Sequence, residues 1–188
     1  EIFVTWLEIL RATPGSVLWL RATSDGLWNR CLSCAQSHGI APSRIIRAKD
    51  CSNNQHLARM RLADLFLDSF AYNAHTTALD ALWMGLPVLT REGQTPVSVL
   101  CAVFLRHLGM HELITRTTAE YIAAAIALAG DKDWRQSVVR KLTGARSCSR
   151  MFDTPYKVRL YESAYETMWA RHTAGLPPAD FDVPPLEA

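Results

Sequence analysis

Short apolar runs set between stretches of helical periodicity constrain this chain more than any other feature. Val17-Leu18-Trp19-Leu20 is a short continuous apolar run, the signature of a strand buried on both faces, and Arg44-Ile45-Ile46-Arg47, Leu65-Phe66-Leu67 and Pro87-Val88-Leu89 read as further short strands. Between them, apolar residues recur at helical spacing. Ile2–Ala12 is a helix stopped by Pro14-Gly15, and a second, through Leu27, Cys31, Leu32 and Ala35, ends at Gly39. Gly there suits a left-handed C-terminal cap. Further helices are expected at His56–Leu62, Thr76–Met84 and Pro96–Leu108. The rest reads as helical, at Thr118–Ala129, Trp134–Thr143 and Tyr156–Thr173, with Pro155 suited to the start of the last. Strands alternating with helices predict an α/β fold, a parallel sheet covered by helices.

Composition supports a packed domain and excludes several classes. Of 188 residues, 49% are hydrophobic and 20% charged, a globular balance. A net charge of +2 is too mild to argue for nucleic acid or an anionic membrane surface. No apolar run approaches the about 18 residues of a membrane span. Five cysteines, an odd number, argue against a closed disulfide framework and for reduced thiols in a cytoplasmic setting. Cys31 and Cys34 form a C-x-x-C pair, but no second pair follows, so packing within a helix explains them better than zinc or redox chemistry. Residues 1–174 are expected to form one domain and 175–188, with four prolines, an extended tail. Helical periodicity from the first residues predicts a piece of a longer chain.

In open parallel sheets, ligands bind outside the carboxyl ends of the strands. The loops to inspect are therefore 50–55, 69–75 and 91–94. The segment from Asp68 to Asp80 is the richest. His75, Thr76 and Thr77 stand at a helix start, where backbone N–H groups lack internal partners and carry positive partial charge. Two hydroxyls beside them suit a phosphate. Asp80, four residues after Thr76, shares its helix face and can accept hydrogen bonds from a ribose. Ordinary capping, with Thr76 as the N-cap, is the competing reading. His56 and Arg59, three apart, can offer an imidazole face and a guanidinium to a flat base; a solvated helix surface is the competing reading there. G-x-G-x-x-G, P-loop, G-x-S-x-G and H-E-x-x-H motifs do not occur.

These residues also carry a resemblance. Ala63-Asp64-Leu65-Phe66-Leu67-Asp68, Tyr72-Asn73-Ala74-His75-Thr76-Thr77, Asp80-Ala81-Leu82-Trp83, Gly85 and Pro87-Val88-Leu89-Thr90 resemble the C-terminal half of the catalytic region of O-linked N-acetylglucosamine transferases and SPINDLY-like proteins, glycosyltransferase family 41. Pro14–Leu20 and Arg44-Ile45-Ile46 match as well, so the similarity spans about Trp6 to Gly175. The resemblance implies a Rossmann-like parallel sheet flanked by helices, the nucleotide-sugar-binding domain of a GT-B glycosyltransferase. It implies an inverting transfer of N-acetylglucosamine from UDP-N-acetylglucosamine (UDP-GlcNAc) to Ser or Thr of proteins, without metal or other cofactor. The other GT-B half and the acceptor-binding tetratricopeptide repeats are expected upstream.

By the same resemblance, His75, Thr76 and Thr77 match diphosphate-binding positions and Asp80 the ribose-binding carboxylate. His56 matches an imidazole against uracil, Arg59 a base-contacting arginine, and Cys51 a place where backbone reads uracil. No catalytic residue falls in this chain. Two positions depart from the pattern: Asn53 stands where the family often has Lys, and Val99, after Ser98, where it tends to have Arg. Partners implied are UDP or UDP-GlcNAc and a protein acceptor, with oligomers possible. A non-catalytic scaffold domain and a GT-B transferase using another nucleotide sugar are the alternatives.

Overall fold

The opening helix forms where its apolar spacing predicts it. In the computed structural model, which describes residues 1–185, α1 spans Ile2–Ala12. It ends at Thr13, whose hydroxyl donates to the Ile9 carbonyl at 2.8 Å, and the chain reverses at Gly15 with φ +83°. A side chain is strained in that left-handed region. Arg44 closes this end from a distance. Its guanidinium donates to the carbonyls of Leu10, Thr13 and Ser16 at 2.7, 2.8 and 2.9 Å, satisfying acceptors that a helix C-terminus leaves orphaned.

Strand β1 (Leu18–Leu20) pairs parallel with β2 (Ile45–Arg47), joined through α2 (Asp25–Ser37). Strand β3 (Phe66–Leu67) pairs parallel with β4 (Val88–Arg91), and β4 with β5 (Ile114–Thr115). The strands thus form two parallel ladders, β1-β2 and β3-β4-β5, where alternation alone predicts one sheet. The helices α3 (Asn53–Met60), α4 (His75–Trp83), α5 (Pro96–His107), α6 (Thr118–Gly130) and α7 (Lys132–Cys148) complete the α/β alternation.

Two apolar clusters hold this part together. Leu7 and Leu10 of α1 pack with Ala35, Ile40 and Ile45. Ile9, on another face of α1, packs with Phe70, Leu89, Tyr121 and Ala125. Burying each such aliphatic side chain contributes about 1.5–3 kcal/mol against exposure. β4 is the most enclosed strand, with Val88, Leu89 and Thr90 all at 0% exposure. β1 corrects its sequence reading: Val17 is 58% and Trp19 40% exposed, so one of its faces is uncovered.

Several boundaries move for identifiable reasons. α3 starts at Asn53, three residues earlier than expected, because Ser52 and Gln55 form a reciprocal capping box. β4 runs on to Arg91 because β5 extends its ladder. β5 itself is missed by the sequence reading. α7 reaches Cys148, five residues beyond the predicted stop at Thr143.

The chain divides into two compact units at 147/148, whereas the sequence places its boundary after 174. The second unit contains α8 (Thr154–Thr173), started by Asp153, whose carboxylate accepts from the Tyr156 N–H at 2.9 Å. No residue of α8 is buried, and Tyr161, Tyr165 and Trp169 are each about two-thirds exposed. The extended stretch after Gly175 is described as far as residue 185; residues 186–188 of the predicted tail lie outside the described residues. Among the described residues, no helix is long and apolar enough to cross a membrane.

Candidate functional site

The carboxyl ends of β2, β3 and β4 open into three loops, and two of these lead into helices that pack against each other, α3 and α4. The β3–α4 loop is the most constrained. Asp68, at 0% exposure, directly follows β3. Its Oδ1 accepts from the N–H groups of Ser69 at 2.9 Å and Ala74 at 2.7 Å, and its Oδ2 from the Thr90 hydroxyl at 2.7 Å. Asn73, also at 0% exposure, donates from Nδ2 to the Ser69 carbonyl at 2.8 Å and accepts at Oδ1 from the Cys101 N–H at 3.3 Å. Tyr121 donates its hydroxyl to the Asp68 carbonyl at 3.0 Å and accepts from Trp6 Nε1 at 3.3 Å. Loop 68–74 is thereby bolted to β4, α5 and α6.

Burial pushes the Asp68 carboxyl above its ordinary range, against hydrogen bonds from Thr90, Ala74, Cys101 and Ser69 that favour the anion. Burial likewise pushes the Cys101 thiol and the Tyr121 phenol far up, with the Asp68 charge adding to both. Neither group is a nucleophile or base in this setting. Burial also raises Cys31.

Because Asp68 takes the Ala74 N–H, α4 starts one residue earlier than its sequence suggests. Ala74 is the N-cap, and it has no side chain to cap with. His75, Thr76 and Thr77 therefore occupy the first turn, and the capping role considered for Thr76 is not realised. Thr76 and Thr77 are exposed, and no side-chain hydrogen bond caps the helix start. An open first turn presents N–H groups and positive partial charge to solvent. His75 is partly buried, stacked on Tyr72 with ring centroids 4.5 Å apart, its Nε2 3.3 Å from the Val97 carbonyl. Asp80 is partly buried one turn below Thr76.

On α3, His56 and Arg59 are brought together: Arg59 Nη2 lies 2.8 Å from His56 Nδ1. Arg59 also donates to the Lys49 carbonyl at 2.7 Å and sits 5.9 Å from the Trp19 ring centroid, so it ties the β2–α3 loop to β1. Cys51 is exposed in that loop. Asn53 is exposed at the start of α3, and Val99 is partly buried on α5, so neither position supplies a cation.

The β4–α5 loop closes over Gly93. A Cβ there would collide with the Ser98 side chain, whose hydroxyl accepts from the Thr95 N–H at 3.0 Å. Ser98 is thus occupied in capping α5. Among the described residues no His, Cys, Asp and Glu cluster could hold a metal ion. Sequence reasoning singled out the helix-start residues but missed Asp68 and Asn73 as organisers of the loop. The signal was available: an acid ending a fully apolar strand is buried and needs partners.

A helix N-terminus at the carboxyl edge of parallel strands is a place where phosphate groups can bind. Comparison with known proteins narrows this. The sequence model of glycosyl transferase family 41 matches residues 1–161, and the chain belongs to that family. It is 34% identical over 173 residues to a Caenorhabditis elegans UDP-N-acetylglucosamine–peptide N-acetylglucosaminyltransferase, covering 92% of this chain and 15% of the relative. It is 32% identical to the probable enzyme SEC of Arabidopsis thaliana and 30% to SPINDLY of Solanum lycopersicum, over 97% and 99% of this chain and 19% and 20% of theirs. A mutant of Thermobaculum terrenum O-GlcNAc transferase superposes with a TM-score of 0.83 at 32% identity, covering 93% of this chain and 34% of that one. The chain thus spans about a fifth or less of these curated relatives.

Proposed function

We propose that this chain is the donor-binding half of a GT-B protein O-glycosyltransferase, with a Rossmann-like sheet, which transfers N-acetylglucosamine from UDP-GlcNAc to Ser or Thr hydroxyls. The observation that carries the reading is the open first turn of α4, with Thr76 and Thr77 exposed at the carboxyl edge of the strands. In this reading the diphosphate sits on the N–H groups of His75, Thr76 and Thr77 and on the two hydroxyls. Asp80 accepts from the ribose hydroxyls. His56 lies against uracil, Arg59 holds the base edge, and the backbone at Cys51 reads it.

The chemical contribution is to the leaving group. As the glycosidic C–O bond breaks, negative charge grows on the β-phosphate, and fixed dipoles aimed at it lower the barrier. With Asn53 and Val99 uncharged, the helix start carries more of that neutralisation than it would beside a cation. The base that takes the acceptor's proton and the repeats that hold the acceptor lie in other parts of the polypeptide, so this chain alone does not turn over. No metal is required, and the setting is cytoplasmic.

Titration of the chain with UDP, GDP and ADP, followed by calorimetry, tests the reading. UDP should bind at least about tenfold tighter than the purine diphosphates, a difference of about 1.4 kcal/mol. Equal affinities would favour another nucleotide sugar. A folded chain with no nucleotide response, forming a concentration-dependent dimer, would favour a scaffold acting through the exposed aromatic face of α8.

A further inference from the structure

A second recess opens at the amino edge of the strands, opposite the candidate site. The ends of α3 and α4, the residues leading into β3 and β4, and one face of α7 enclose a groove of about 640 Å³, a volume in the range of ligand pockets. Five cations and one carboxylate line it, a net charge of +4 where the whole chain carries +2.

Two of these cations are committed to the fold. Arg135 donates to the carbonyls of Leu128 and Ala129, at the end of α6, at 2.6 and 3.1 Å, and lies 3.7 Å from the Asp64 carboxylate. Arg146 donates to the Trp83 carbonyl at the end of α4 and sits 5.5 Å from the Trp83 ring centroid. Arg61, Lys132 and Arg140 are exposed, and their side chains have no hydrogen-bond or ion-pair partner among the described residues. Like charges gathered without partners repel one another, a cost that an anionic occupant removes.

The floor between them is apolar, with Met60, Leu86 and Pro87 buried. Helices α3 and α4 end at this edge, so a compact dianion seated on the floor would meet the negative partial charge of their C-termini. Lys132 and Arg140, just over two turns apart on α7, are separated by about 12 Å along its axis. An extended peptide covers that span in about four residues.

We propose that this groove docks an acidic segment of a partner protein. An apolar side chain of the segment rests on the floor, and carboxylates on either side of it pair with Arg61 on one wall and with Lys132 and Arg140 on the other. Charge complementarity of this kind is how Arg clusters recognise acidic motifs. The groove lies at the opposite edge from the first turn of α4, so the inference stands whether or not UDP binds there.

Fluorescence anisotropy of the 188-residue chain with a fluorescein-labelled peptide, Glu-Asp-Glu-Leu-Asp-Glu-Glu, tests it. The peptide should bind with a Kd of about 100 μM or tighter, and more weakly as salt is raised. Arg61→Glu combined with Arg140→Glu should weaken binding at least about tenfold, whereas Arg30→Glu on α2, outside the groove, leaves it unchanged. The milder pair Arg61→Gln and Arg140→Gln should weaken it at least about threefold with a native urea-unfolding midpoint, which separates lost contacts from lost folding. Saturating UDP should not alter the affinity. Absence of binding tighter than about 100 μM, equal binding of the peptide with its carboxylates replaced by amides, or competition by UDP overturns the proposal. So does displacement by inorganic phosphate at matched ionic strength, which would assign a compact anion. Tighter binding of phosphatidylserine vesicles or single-stranded RNA through Arg61 and Arg140 also overturns it.

Discussion

Removing the Asp68 carboxylate should cost more stability than any other single polar change in the site. Asp68→Ala leaves the N–H groups of Ser69 and Ala74 and the Thr90 hydroxyl without their acceptor. At about 1–3 kcal/mol for each buried group left unsatisfied, less what entering water recovers, the loss is about 3–5 kcal/mol. Asp68→Asn is the informative partner variant. Its amide oxygen can keep the Ser69 and Ala74 bonds, its NH2 can donate to a rotated Thr90 hydroxyl, and no charge is desolvated, so its cost at pH 7 is about 1 kcal/mol or less. Urea unfolding followed by tryptophan fluorescence gives both numbers.

The pH dependence supplies an independent sign. Burial raises the folded-state carboxyl above its ordinary 3.8, so the fold favours the protonated acid. The stabilisation linked to Asp68 is fully present below the unfolded-state value and is lost as pH rises through the folded one. The native chain should therefore lose stability relative to Asp68→Asn as pH rises from about 4. A cost for Asp68→Ala under about 1 kcal/mol, or an Asn variant as damaged as the Ala variant, would refute the reasoning.

Three further outcomes follow from the same contacts. Tyr121→Phe removes a hydroxyl that bridges the Asp68 carbonyl and Trp6, and should lower stability by about 1–2 kcal/mol in the same unfolding assay. Saturating UDP should slow alkylation of the exposed Cys51 several-fold and leave Cys148, also exposed, unaffected, as peptide mass spectrometry of the iodoacetamide-treated chain can read. Arg59→Ala should weaken UDP about tenfold in calorimetry, because the guanidinium that holds the β2–α3 loop to Lys49 and Trp19 is gone.

Where local sequence decides the structure, the sequence was legible. α1 spans Ile2–Ala12 as its spacing predicts, and Pro155 stands in the first turn of α8. Departures arise where distant residues decide. The start of α4 is set by the Asp68 carboxylate, six residues back, so no local capping rule at Thr76 reveals it. The two residues of β5 carry too little pattern to register, and only their pairing with Thr90 and Arg91 makes them a strand. Trp19 and Val17 read as core from hydrophobicity alone; their exposure depends on what covers β1, which no residue of the run encodes. That a helix begins near His75, Thr76 and Thr77 was legible because it follows a strand end, and the bolts behind it were not, because Asn73 and Asp68 act through α5 and β4.

In the proposed function the first turn of α4 holds the diphosphate. Backbone amide NMR, with UDP and uridine titrated in parallel, addresses it directly. UDP should shift the amide resonances of His75, Thr76 and Thr77 strongly, and uridine should leave them nearly in place while still perturbing the loop around Cys51. UDP binding that moves other amides and leaves those three unchanged would contradict it.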